Sequence, residues 1–203
     1  MTEIHHKYYQ YLIFQVKIFV MEKKNLIISA RRFAREAHKA IIITTVSGDV
    51  RPQIEHLQEV ADLVWTSGGN DIEIAAAWLH DSVEDTSVNL DDIENNFGKE
   101  VAEIVHGLTD SAELKGLSNA ERKPKQAKRV KNESESVKRI KIADQTSNVR
   151  FVTTDPKPTW SFSENRDYVL GAKMIADECR GISPVLDHLF DSEYKKAAKF
   201  FKI

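Results

Sequence analysis

Apolar residues in this chain recur at intervals of three and four, segment after segment, and strand-like alternation is scarce. That periodicity commits most of the chain to amphipathic helices that must pack on one another. Leu26, Ala30, Phe33, Ala34 and Ala37 form one apolar face, and Ile54, Leu57, Val60, Ala61 and Val64 a second. A third runs Ile72, Ala75, Ala76, Leu79 and Val83 after Gly68-Gly69-Asn70, where Asn70 and Glu73 have capping-box spacing. Val101, Ile104, Val105 and Leu108 mark a further helix after Phe97-Gly98.

Residues 122–131, RKPKQAKRVK, are strongly basic, contain a proline and are expected to be a loop or lid. A helix resumes near Glu133 and continues through Val137, Ile140 and Asp144, and 152–161, with Pro156 and Pro158, reads as a linker. Two closing helices are expected, around Tyr168–Cys179 and from Ser183-Pro184, where serine caps and proline takes the first turn. The chain shows no internal repeat, and 203 residues suffice for one well-cored domain. The expectation is an all-α, compact helical bundle: a core over 21–151, with 152–203 supplying helices that pack on the same domain.

Residues 8–21, YYQYLIFQVKIFVM, are apolar and aromatic but broken by Gln10, Gln15 and Lys17, too short and interrupted to span a membrane. No small-residue cleavage site marks a signal peptide. From Met21 the text, MEKKNLIISARRFAREAH, reads as a natural start, so residues 1–20 are expected to be an upstream extension; a short strand or interfacial helix is the alternative. A net charge of −2 argues against a general nucleic-acid binder. The lone Cys179 supplies neither a disulfide nor a thiolate cluster, which fits a reducing cytoplasm. No membrane partner is expected, and a homo-oligomer is compatible with the sequence.

The chemistry concentrates in Leu79-His80-Asp81-Ser82-Val83-Glu84-Asp85. A helix running through it would set His80 and Glu84 on one side, and likewise Asp81 and Asp85. Four ionisable groups beside a buried stripe require solvent or a cation, and an imidazole next to a carboxylate suits a divalent metal of mixed N/O preference. A bare His-Asp pair is more often a solvated helix face. Two further segments change that balance: Pro52-Gln53-Ile54-Glu55-His56 opens the second helix with a histidine, and in KRIKIADQTSN residues Lys141, Asp144 and Asn148 share one face. His38 and His106 are read as packing residues. His5 and His6 lie in the terminal segment, and His188 lies beside the last helix's apolar face.

The order H…HDxxED…KxAD…N resembles the HD superfamily of metal-dependent phosphohydrolases, in particular its alarmone-hydrolase branch: the hydrolase half of Rel/Spo-type enzymes and their small stand-alone relatives. The resemblance covers roughly 24–151. It implies an HD-domain fold, with His56, His80, Asp81 and Asp144 as ligands of one divalent ion, usually Mn2+ in that branch. It implies that Glu84 and Asp85 act on the attacking water and the cleaved phosphate, without saying which is the base. It places Asn148 against the nucleotide, and Lys141 on the same face is the second substrate-binding candidate. The implied activity is hydrolysis of a phosphate or pyrophosphate bond in a small-molecule nucleotide, with guanosine 3′-diphosphate 5′-diphosphate the first to consider. One departure bears on the substrate. The branch usually carries a basic Arg-Lys pair shortly before the metal histidine, where this chain has Ile41-Ile42-Ile43-Thr44-Thr45-Val46-Ser47-Gly48-Asp49, with Arg51 nearer His56. A different nucleotide, such as a nicotinamide dinucleotide phosphate, and a non-catalytic nucleotide-binding module are the alternatives. Lys123, Lys125, Lys128 and Arg129 are the remaining candidates to receive phosphates.

Overall fold

A computed structural model describes residues 26–203, so the terminal segment 1–20 lies outside the described residues. Helix α1 covers 26–37. A small antiparallel hairpin follows, β1 (Ile42–Thr44) and β2 (Val50–Pro52), with Ile43 paired to Arg51. Then come α2 (Gln53–Thr66), α3 (Asp71–Leu79), α4 (Ser82–Asp85), α5 (Leu90–Phe97) and α6 (Lys99–Leu108). A single 3-10 turn, Ala112–Leu114, leads to α7 (Asn119–Val130), α8 (Glu135–Thr154), α9 (Phe162–Asp177) and α10 (Pro184–Phe201).

The expected apolar faces turn inward. Leu57, Val60, Ala61 and Val64 of α2 meet Ala75, Ala76 and Leu79 of α3, joined by Val101, Val105 and Leu108 of α6. Asn70 caps α3 as its spacing suggests, accepting from the Ile72 and Glu73 amides while Glu73 accepts from its own. Helix α8 threads the middle, packed against α2, α9 and α10 and buried without interruption from Ile140 to Ser147. A helix covered all round has no solvated face on which to leave a charge, so the ionisable residues within it need partners.

Two local expectations are corrected. Residues 122–131 are not a loop: α7 runs through them, started by a reciprocal Ser118–Glu121 cap and held by the packing of its Lys123, Gln126, Ala127 and Val130 face. Pro124 costs the helix one amide bond, which that cap and packing outweigh. The third helix does not continue through the His-Asp pair: α3 stops at Leu79 and the chain re-enters as α4. The His80 ring donates from Nδ1 to the Ala77 carbonyl at 2.8 Å, the acceptor a continuing helix would offer the Asp81 amide. The β-branched run before Ser47-Gly48, to which the sequence reading assigned no structure, pairs as a hairpin with Gly48 at φ 88° in its turn.

Helices α7 and α9 approach so closely that a Cβ on Gly171 would lie 2.3 Å from the Lys123 Cβ. Gly171→Ala must push the two backbones apart, at the upper end of the ~1–3 kcal/mol usual for overpacking, against a helix-propensity gain of about 1 kcal/mol. A net loss of about 2 kcal/mol is therefore expected in denaturant unfolding, and unchanged stability would show that the contact yields freely.

Candidate active site

The four residues singled out as metal ligands arrive on three elements. His56 lies in the first turn of α2, His80 and Asp81 in the break between α3 and α4, and Asp144 in the buried middle of α8. Because the chain leaves the helix at His80, neighbours in sequence turn toward one point: His80 Nε2 lies 3.2 Å from Asp81 Oδ1. His56 Nε2 is 3.7 Å from Asp81 Oδ2 and 3.4 Å from Asp144 Oδ1, and the latter is 3.9 Å from His80 Nε2. The two imidazoles stand edge to face, 5.2 Å apart between centroids.

These donors fit a divalent cation. One ligand atom each from His56, His80 and Asp81 falls within a sphere of 4.8 Å separations. His80 Nε2, buried, has no hydrogen-bond partner among the described residues, while Nδ1 is already committed. A buried nitrogen lone pair facing two carboxylates and a second imidazole is the donor set that suits a borderline or hard divalent ion. The local charges point the same way. Burial would lower the His56 pKa, but the hydrogen bond to Asp144 and the charges of Asp81 and Asp144 outweigh it and raise it. Burial would raise that of Asp144, yet Lys141, His56 and His80 hold it well below the usual carboxylate range.

The carboxylates are themselves oriented. Gln53 Nε2 donates to Asp81 Oδ2 at 2.9 Å, and Gln145 Nε2 to Asp144 Oδ2 at 2.7 Å. Lys141 Nζ reaches Asp144 Oδ2 at 3.3 Å, and Asn148 Nδ2 donates to Oδ1. Both substrate-binding candidates thus line the pocket while also holding Asp144. Glu84 and Asp85 lie on the pocket wall, each residue open to solvent. The Asp110 amide donates to Glu84 Oε1. Partial covering by the wall raises the Glu84 pKa, with Asp110 and Asp81 adding to it against Lys141. The same covering and the Asp81 charge raise that of Asp85.

Of the four basic candidates near α7, Lys123 alone among the described residues lines this pocket. Lys125 and Lys128 point to solvent, and Arg129 is spent on the Thr109 carbonyl and Asp110. Lys123 is buried, donates to Gln145 Oε1 at 2.9 Å and sits 3.9 Å above the Tyr168 ring, and burial brings its pKa down to about 7. Gln53, Gln145, Tyr168 and Lys157 were invisible as site residues in the sequence, because only tertiary packing brings them to the pocket. His38 is buried, as a packing residue should be, with Nδ1 on the Ala34 carbonyl, and its Nε2 is unpartnered among the described residues. His106 and His188 are exposed.

Fold and site together define the class: the chain belongs to the HD-domain family, whose model matches residues 30–166. Within it, the chain is 33% identical over 171 residues to the guanosine-3′,5′-bis(diphosphate) 3′-pyrophosphohydrolase MESH1 of Xenopus tropicalis, covering 81% of this chain and 93% of that one. It is 32% identical over 145 residues to the Homo sapiens protein of the same name, covering 68% and 79%. A solved structure described as a metazoan orthologue of SpoT that hydrolyses ppGpp superposes with a TM-score of 0.76 at 26% identity, over 84% of this chain and 94% of that one. A Listeria monocytogenes structure matches with a TM-score of 0.59 at 28% identity, over 73% and 94%.

Proposed function

We propose that this protein is a metal-dependent pyrophosphohydrolase that removes the 3′-diphosphate of guanosine 3′,5′-bis(diphosphate). The observation that carries the reading is a cluster of two imidazole nitrogens and the Asp81 carboxylate within 4.8 Å of one another, with Asp144 3.4 Å from His56, at a pocket that Lys123 and Lys141 line. Relatives named for that reaction, one of them matched over 93% of its length, support the substrate. The protein is a hydrolase, and no described helix is long and apolar enough to cross a membrane.

A divalent ion, assigned here as Mn2+ and held by His56, His80, Asp81 and Asp144, would polarise a phosphoryl oxygen and lower the pKa of water. The chain's own groups do the rest. Glu84 and Asp85 orient the attacking water, one of them accepting its proton, and their raised pKa values bring them nearer the working range of a general base. Lys123 and Lys141 offset the negative charge that builds on the diphosphate, in a site where burial strengthens such contacts. Asn148 stands at the pocket wall to meet the nucleotide. The buried Cys179 thiol, pushed up to about 12 by burial, takes no part and suits the reducing cytoplasm to which we assign the protein.

A second nucleotide calls for a test on one observation: where the branch carries its basic pair, this chain presents Ile41, Ile42 and Ile43 along a cleft beside Asp85 and Lys157. The manganese-loaded protein should be given guanosine bis(diphosphate) and a nicotinamide dinucleotide phosphate in parallel, with pyrophosphate and phosphate measured separately. Pyrophosphate release from the first is expected. Inertness toward it, with turnover of the second, would overturn the substrate assignment.

Lys123 adds a pH signature. A lysine that deprotonates near 7 rather than above 10 holds phosphate only below that pH, so kcat/KM should fall as pH rises through about 7. Lys123→Gln should be slower at pH 6 and lack that limb; an identical limb in the variant would exclude Lys123 as its source.

A further inference from the structure

An imidazole can offer Nε2 to a cation only if its proton sits on Nδ1, and that proton needs an acceptor. For His80 the acceptor is the Ala77 carbonyl, which can do nothing else. For His56 the partner is the Ser147 hydroxyl, with Oγ 3.0 Å from Nδ1, and a hydroxyl can either donate or accept. Its neighbour decides. Ser147 Oγ lies 2.7 Å from Glu59 Oε2, and an ionised carboxylate only accepts, so the hydroxyl proton goes to Glu59 and its lone pair to His56.

Glu59 is built to stay ionised. Burial alone would raise its pKa, but the Ser147 hydroxyl and the guanidinium groups of Arg150 and Arg51 bring it down. Arg51 of β2 reaches Glu59 Oε2 at 3.2 Å, and Arg150 of α8 bonds the other oxygen and is itself held by Glu193 of α10 at 3.3 Å. Ser147 is fully buried, so water does not compete for its hydroxyl.

We infer that Ser147 and Glu59 are positioning residues of the metal centre: the Glu59 carboxylate, acting through the Ser147 hydroxyl, holds His56 in the tautomer that turns Nε2 toward a divalent cation. Neither touches substrate or ion. The inference rests on the metal-centre reading above, and the test separates the two.

The full chain, stripped of metal, is titrated with Mn2+ by calorimetry, and the melting temperature of the metal-free form is recorded beside it. Ser147→Ala should weaken Mn2+ binding by about 10- to 100-fold, the usual effect of losing an outer partner of a ligating histidine. Ser147→Thr, which keeps the hydroxyl, should bind within about threefold of the wild type, against that same 10- to 100-fold scale. Glu59→Gln should weaken binding by about tenfold, because an amide can donate to the hydroxyl and reverse the chain of bonds. Wild-type affinity in both Ser147→Ala and Glu59→Gln, with His80→Ala binding nothing, would overturn the relay and spare the metal centre. A wild-type chain that binds no divalent metal would remove the metal centre and the relay with it. Should Ser147→Ala fail to fold, Glu59→Gln decides, since that residue is part-exposed at the edge of the site.

Discussion

The paired substitution His80→Ala/Asp81→Ala is expected to abolish metal binding and reduce hydrolysis by about 10³-fold or more, the equivalent of removing several kcal/mol of Lewis-acid stabilisation. The two residues occupy the turn between α3 and α4 and supply a buried imidazole nitrogen with no hydrogen-bond partner among the described residues and a carboxylate 3.2 Å from it. The fold should tolerate the change. Asp81 raises the pKa of its neighbours Glu84 and Asp85, so removing it relieves repulsion while leaving a small cavity at His80. Elemental analysis after manganese loading and desalting should find about one ion per wild-type chain, as its donor set provides, and none in the variant. Equal metal content in both would sink the assignment. Acid should act on the wild type in the same direction. The His56 pKa is raised above its ordinary value, so as pH falls through that range a proton takes the nitrogen the ion needs, and affinity drops.

Glu84→Gln is expected to lower turnover by about 10²-fold or more with metal occupancy and melting temperature nearly unchanged. The amide preserves size and can still accept from the Asp110 amide, so the local backbone keeps its tie. What is lost is a carboxylate whose raised pKa makes it a better proton acceptor than an ordinary surface glutamate. Turnover and occupancy are to be measured on one sample. Normal turnover at normal occupancy would pass the base to Asp85, which the parallel Asp85→Asn variant would then reveal. Loss of the ion along with activity would instead place Glu84 among the ligands.

The helical architecture was legible because burial imposes a period, and a period survives in the order of residues: the Asn70 cap and the α2 face needed no tertiary information. Candidate ligands could be read for a related reason, since an ion demands particular atoms and few residue types carry them. The misreadings share a different cause. Pro124 and the surrounding charge suggested a loop, because the sequence does not show that α9 waits to cover one face of α7. The helix was carried through Asp81, because nothing before folding says that a ring nitrogen will claim the Ala77 carbonyl. Ser147 and Glu59 look like ordinary polar residues, and their bearing on His56 exists only once α2 and α8 lie side by side.

The hairpin turn and the segment leaving α8 are joined across 108 residues: Ser47 donates from its amide and hydroxyl to the Asp155 carboxylate, and the Val46 amide to the Pro156 carbonyl. Ile43 and Lys157, which both line the pocket, therefore sit on segments bonded to each other rather than on independent flaps. Neither side alone sets their separation. A change on one side should shift the other as well, and Ser47→Ala would only loosen the joint, since it removes the hydroxyl bond and leaves those of the Ser47 and Val46 amides in place.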